Sequence, residues 1–405
     1  MKTLLQINTV INSGSTGRIA EEIGIKAMEQ GWDSYIAYGR NDKPSASHKM
    51  KIGNEWDMKW HGIATRLFDR HGFVSAKATK KLIEDIKLIQ PDIIHLHNLH
   101  GYYLNIELLF NYLSRVNTPV VWTLHDCWAF TGHCTHFSYV DCNKWKVQCE
   151  KCPQKKEYPA SYWIDNSYKN FLKKQKLFTS IKDMTIVPVS NWLAGVVNES
   201  FFSKYPIRVI YNGVDIEVFK PRNTVNLRKQ YHLENKFVLL GVASVWSERK
   251  GLYDFIKLSR VLDKNERIIL IGLNKQQIKL LPNNIIGIER TDDVLQLIEF
   301  YSLADVVLNL SFEETFGLTT VEGFACETPS IVYNCTASPE LTSASTGFIV
   351  TQGDFSEIRR AIDTVKSNGK VVYQDACRER AVSFFNKEDR YEQYIQLYHQ
   401  LLSKS

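Results

Sequence analysis

Short apolar runs, each followed by an amphipathic stretch, recur through this chain, and the recurrence starts afresh about halfway along. The first run, 2–10, leads into Asn12-Ser-Gly-Ser-Thr-Gly17 and then RIAEEIGIKAMEQG, which has a helical pattern. Runs at 34–38, 91–100, 119–124 and 184–189 predict buried strands, with helices over 76–90, over 107–115 and from Ser190 to about Ser200. The 41–75 stretch has no clear period and reads as an extended loop with short helices. After a break at Pro206 the alternation resumes. Strands are predicted at 237–244, 267–272, 284–288, 305–311, 329–333 and 347–350, and helices open at Lys250-Gly251-Leu252, at Thr291 and at Leu318. Two helices finish the chain, the last over 387–402. Strand and helix alternating twice over predicts an α/β protein of two doubly wound parallel sheets facing one cleft.

The length, 405 residues, exceeds one ordinary core and sets a prior of two or three domains. With 44% hydrophobic and 23% charged residues the chain reads as globular and soluble. A net charge of +6 suits an anionic ligand or a membrane surface, though in most proteins of this size it serves solubility, and no basic block is long enough for nucleic acid. The N-terminal apolar run is broken by Gln6 and Asn8, unlike a signal peptide, and the longest apolar run, 237–246, is about half of what spans a bilayer. The expectation is a cytoplasmic protein, in which eight cysteines do not form a disulfide framework.

The most informative stretch is 314–322, ETFGLTTVE. A predicted strand, a turn at Phe316-Gly317 and a helix N-terminus place free N–H groups and the positive end of a dipole at one point, which makes an anion site. Glu314 and Glu322 flank it. A carboxylate there repels a bare phosphate but accepts from sugar hydroxyls, so a nucleotide-sugar satisfies both features; the alternative is a capping carboxylate and a solvated helix Glu. Lys250, at a helix start after a strand, suits a diphosphate, or else is a solvated helix start. His125-Asp126 closes a predicted strand at its C-terminal end, where such folds keep their chemistry, or caps a strand–loop junction. The Gly14 and Gly17 loop faces a ligand, or is a tight turn with a Ser/Thr cap. His95, His97 and His100 have no Asp/Glu pair nearby and read as core or cleft polar groups rather than metal ligands. Cys134, Cys142 and Cys149-x-x-Cys152 have a four-thiolate layout for a structural zinc; free thiols in an aromatic loop and a disulfide or redox pair are the alternatives. Aromatic and basic residues mix over 155–182, which fits docking at an anionic bilayer or an ordinary amphipathic surface helix.

ETFGLTTVE resembles the Glu-x7-Glu signature of the retaining GT-B glycosyltransferases of family 4, and the strand-end His125-Asp126, Lys250-Gly251 and Asn212-Gly-Val-Asp215 resemble that family's other landmarks, in order along nearly the whole chain. The resemblance implies two Rossmann-like domains: an acceptor-binding one at 1–205 with a Cys-rich insert at 127–153, a nucleotide-sugar-binding one at 206–386, and a helix, 387–405, returning to the first. It implies that Glu314 contacts the transferred sugar and Glu322 the ribose. Thr315, Phe316, Gly317 and Leu318 would line the donor with backbone N–H groups, and Lys250 would meet the phosphates. The family's Arg, five residues before that Lys, is Val245 here, which leaves Arg249 to supply a second charge. His125 would sit beside the transferred sugar, with Asp126, Gly14 and Gly17 on the acceptor side. The implied reaction moves a hexose from a UDP- or GDP-type donor to a hydroxyl of a glycan or lipid-linked acceptor. Configuration is retained, no cofactor is required, and the setting is cell-surface polysaccharide synthesis by a cytoplasmic enzyme, either free or peripheral at the inner membrane face. A sugar-nucleotide epimerase of the same build and a non-catalytic nucleotide-sugar-binding protein are the rivals.

Overall fold

A computed structural model describes residues 1–404. The chain divides into two compact units, one of 1–211 with 390–405 and one of 212–389. In the first, six parallel strands run β1 (Thr3–Val10), β2 (Asp33–Arg40), β3 (His48–Lys51), β4 (Ile93–Leu96), β5 (Val120–Leu124) and β6 (Met184–Pro188), in the spatial order β3-β2-β1-β4-β5-β6. In the second, β7 (Phe237–Val242), β8 (Glu266–Ile271), β9 (Ile285–Ile288), β10 (Val306–Asn309), β11 (Ser330–Tyr333) and β12 (Gly347–Val350) take the order β12-β11-β10-β7-β8-β9. Counted from each unit's own first strand, the two orders are the same. Each sheet reverses its winding between its first and fourth strands, at β1/β4 and at β7/β10, and ligands of doubly wound sheets bind outside the carboxyl ends at that switch.

The central strands are buried from end to end, with burial running unbroken through β4, β5, β6, β10 and β11. Parallel strands covered on both faces by helices need such continuous apolar runs, which is why the runs were legible. Register is fixed by pairs such as Leu4↔Ile93, Ile94↔Val120 and Leu239↔Ile268.

Two stretches differ from expectation. The 41–75 segment contains an edge strand, β3, and a helix of 14 residues, Glu55–Phe68, opened by an Asn54 capping box with Asp57. The chain also finishes with three helices rather than two, Phe355–Asn368, Val371–Phe385 and Lys387–Leu402. The first of these breaks from the second at Gly369, whose φ of +79° lies in the left-handed region. The last helix contributes Tyr391, Tyr394, Ile395, Tyr398 and Leu401 to the core of the first unit, against Leu4, Ile19, Ile23 and Trp32.

Candidate functional site

In the second unit the loops after β7 and β10 come together at the switch point. The first carries Arg249, Lys250 and Gly251. Gly251 has φ +79°, and a Cβ there would lie 2.1 Å from the Leu310 carbonyl oxygen, so only glycine lets this loop approach the end of β10 so closely. That approach brings Lys250 Nζ to 2.6 Å from Glu314 Oε1. Arg249 braces the same loop: its backbone carbonyl accepts from Phe312 N at 2.8 Å and its Nη1 donates to the Glu313 carbonyl at 2.9 Å. Burial by itself raises the Glu314 pKa, but the Lys250 charge and hydrogen bond, helped by Arg249 and the Ser311 hydroxyl, outweigh it and hold the carboxyl below its usual range. Glu314 N donates to Thr336 Oγ1 at 2.9 Å, and Ala337 N donates to the Glu314 carbonyl at 3.2 Å, so the loop after β11 fixes this backbone from the other side.

Thr315 and Phe316 lead to Gly317, which opens the helix Leu318–Ala325 with φ +106° and no side-chain cap among the described residues. Phe316 is buried, its ring 5.9 Å from that of Phe385. Glu322 sits one turn inside the helix, where its Oε2 accepts from the hydroxyl of the buried Tyr301 at 2.7 Å. Tyr301 was missed by the sequence reading. It occupies an apolar position of the helix Val294–Leu303, and nothing in its spacing separates it from a core tyrosine.

In the first unit the loops after β1, β4 and β5 meet at the equivalent point. Gly14, at φ +60°, begins the helix Gly14–Glu29 with open space where a side chain would be. Gly17 is glycine for a packing reason, since a Cβ would stand 3.0 Å from Val10 Cγ2 and 3.2 Å from Asn12 N. A small cavity beyond β4 and β5 is lined by His97, His100, His125, Asp126 and Trp128. His95 is locked between Tyr398 OH (2.6 Å) and Thr123 Oγ1 (2.8 Å), and His97 between Gln6 Oε1 (3.0 Å) and His125 Nε2 (3.1 Å). Burial lowers the His125 pKa to about 4, so its imidazole is neutral at neutral pH. Asp126 Oδ2 lies 2.6 Å from His100 Nε2, and Oδ1 accepts from Trp128 N at 2.9 Å. Burial works against the Asp126 charge, but His100 prevails and the pKa falls to about 2. His100 Nδ1 in turn meets Tyr158 OH at 3.0 Å. His100 is therefore the partner that orients Asp126.

The cysteine insert is held differently from expectation. Cys134, Cys142, Cys149 and Cys152 line one cavity, yet among the described residues no group of three or more His, Cys, Asp or Glu is gathered to hold a metal ion. The structural-zinc reading is not supported. Cys134 pairs with Cys152, and this hydrogen bond together with burial pushes the Cys134 thiol up. The insert also has a core of its own: Phe130, Phe137 and Trp145 pack with ring centroids 5.5 and 4.8 Å apart about Trp145, and His133 Nδ1 lies 2.6 Å from Asp69 Oδ1, both side chains fully buried. Lys174, from the helix Ser167–Phe178, is buried under it, donating to the Trp128 and Thr131 carbonyls at 2.8 and 3.1 Å. That helix is therefore not wholly a surface element.

Two doubly wound units of one strand order, with basic and acidic groups at the switch point of the second, define the GT-B class of glycosyltransferase fold. Residues 16–218 match the family described as Glycosyltransferase Family 4, and 236–368 match Glycosyl transferases group 1. The chain belongs to glycosyltransferase family 4. It is 28% identical over 228 residues to WcaC of Escherichia coli (strain K12), a protein named as a glycosyl transferase of colanic acid biosynthesis; the match covers 53% of this chain and 55% of WcaC, about half of each. Sucrose-phosphate synthase from Thermosynechococcus elongatus superposes with a TM-score of 0.73 at 16% identity, over 100% of both chains. Anabaena HepE, solved in complex with UDP-glucose, superposes with a TM-score of 0.70 at 16% identity, over 99% of this chain and 100% of that one.

Proposed function

We propose that this protein transfers a hexose from a nucleotide-diphosphate sugar to a hydroxyl of a glycan or lipid-linked acceptor, with retention, in the synthesis of a cell-surface polysaccharide. The observation that carries the reading is the Lys250–Glu314 pair, 2.6 Å apart, beside the uncapped start of Leu318–Ala325. With donor bound, Lys250 turns from Glu314 to the diphosphate, and Glu314 accepts from hydroxyls of the sugar. Glu322, held by Tyr301, accepts from the ribose. Lys250, the backbone N–H groups about Gly317 and the helix dipole stabilise the charge that develops on the leaving diphosphate. Arg249 acts by bracing the Glu313–Glu314 backbone. The acceptor attacks from the face the diphosphate leaves, which needs no carboxylate nucleophile. In this reading 1–205 binds the acceptor, with neutral His125 beside the transferred sugar and Asp126, Gly14 and Gly17 around the acceptor, while 206–386 binds the donor. The UDP-glucose bound by HepE and the colanic acid assignment of WcaC favour a UDP-type donor and an exopolysaccharide acceptor.

The test is a thermal-shift screen with UDP, GDP, ADP and their sugars, followed by analysis of the products. At a hundredfold excess over Kd the matching donor is expected to raise Tm by about 5 °C or more. If no nucleotide moves Tm, the reading fails. Conversion of the sugar while still on the nucleotide, with no acceptor present, would assign an epimerase instead.

A further inference from the structure

The helix Glu55–Phe68 has its apolar stripe on the wrong side for a soluble protein. Its packed face consists of His61, Gly62, Ala64 and Thr65. Trp56, Lys59, Trp60 and Ile63, at helical spacing, are all exposed, the two tryptophans at 77% and 64%. A surface helix ordinarily turns such residues inward. The stripe does not stand alone. Tyr162 N donates to the Arg66 carbonyl at 2.8 Å and Asn166 Nδ2 to the Phe68 carbonyl at 2.7 Å, which lays 162–166 along the end of this helix. Exposed Tyr162, Trp163 (74%) and Ile164 thereby extend the apolar surface, and Tyr168 and Leu172 continue it along the next helix. Monomeric proteins rarely expose contiguous patches of this kind without a use for them.

We propose that this surface docks on an anionic bilayer, lying in the headgroup region. Charge and residue type both favour that occupant. Lys59 Nζ lies 4.8 Å from the Trp56 ring centroid, an ammonium set beside an indole as at a membrane interface. Lys59, Arg66 and Arg70 on and just after the first helix, and Lys156, Lys169 and Lys176 before and along the next, are exposed. Of the acids on these segments, Asp69 is buried against His133, Asp57 closes the helix cap, and Asp165 accepts from Cys152 N and Ser167 N; Glu55, Glu157 and Asp165 are exposed, so the exposed basic side chains outnumber the exposed acids. Among the described residues no helix is long and apolar enough to cross a membrane, so contact would be from one side. The surface deepens the lipid-linked acceptor reading and uses none of the donor residues.

Vesicle sedimentation of the full chain, without nucleotide sugar, tests it independently of the donor site. Binding is expected to phosphatidylglycerol-containing vesicles, with a blue shift of tryptophan emission, and much less to pure phosphatidylcholine. Trp56→Ala/Trp60→Ala/Trp163→Ala should weaken binding at least about a hundredfold with Tm nearly unchanged, since all three side chains are exposed. Lys59→Gln, a milder change that leaves the tryptophans in place, should weaken it about fivefold. No binding by the unaltered protein, or equal binding by both variants, overturns the proposal. So does self-association in vesicle-free buffer that the triple variant abolishes while vesicles are ignored, which would make the patch an interface between copies.

Discussion

The Lys250 ammonium and the Glu314 carboxylate neutralise each other, and that pairing sets what each does in the donor's absence. Lys250→Ala leaves a buried carboxylate without its counter-ion and, under the proposed function, removes the cation that meets the donor phosphates. Donor affinity is expected to fall by about a hundredfold or more, measured by calorimetry. The pH dependence follows from the sign of the shift. Because the folded Glu314 pKa lies below its ordinary value, the pair's stabilisation is complete above the ordinary carboxylate pKa and is lost as pH falls through the folded one. The acid limb of kcat/KM should therefore lie below about pH 4.3 and move upward in Lys250→Ala; a limb that stays in place would take Glu314 out of the reaction. Under the proposed function Tyr301 acts through Glu322, to which its hydroxyl donates. Tyr301→Phe keeps the packing but removes the hydroxyl, and should raise the donor Kd about tenfold with a smaller effect on kcat.

At the scale of elements, charge also fastens helix to sheet. Glu266, at the start of β8 and fully buried, receives Arg359 through two hydrogen bonds of 2.7 and 2.9 Å and Lys366 at 2.8 Å, so that Phe355–Asn368 is tied to the strand. Burial opposes the Glu266 charge, yet the two cations bring its pKa down to about 2. Stability from this cluster is present above the unfolded carboxylate value and is lost as pH falls toward 2. Glu266→Gln should destabilise the second unit by about 3 kcal/mol at pH 7, with the difference from the unaltered protein closing by pH 2; urea titrations at several pH values measure it. The helix Glu55–Phe68 shows the opposite relation of pattern to packing. Its stretch of sequence reads as an extended loop with short helices because large apolar residues face out while glycine, alanine and two hydrogen-bonding residues face in, so the binary code that marks one long helix is inverted. His61 is satisfied inside by Ser75 Oγ at 2.9 Å, a partner fourteen positions away that no local pattern announces.

For the whole molecule, the C-terminal residues belong to the core of the first unit. A chain stopped after Asn386 would strip Tyr391, Tyr394, Ile395, Tyr398 and Leu401 from that core and leave His95 without Tyr398 OH. At about 1.5–3 kcal/mol for each buried side chain, the loss rivals the stability of a domain. The first unit should then lose cooperative unfolding and resist proteolysis poorly, while 212–386 stays folded. Sequence alone determined the alternation of strand and helix and its restart, because parallel strands buried on both faces must be continuous apolar runs and therefore stand out. It also marked Glu314, Gly317, Glu322 and Lys250, because loops at the carboxyl ends of strands need glycine at special backbone angles and charges that no core tolerates. Only the tertiary structure decided which of these groups meet. The pairs Lys250–Glu314 and His100–Asp126 join loops that sheet order makes neighbours, and Tyr301–Glu322 joins the helices that enter and leave β10. The cysteine insert follows the same rule. Its thiol spacing suggested zinc, but spacing along a chain fixes only how far thiols can reach, and packing around Trp145 and Lys174 decides where they point.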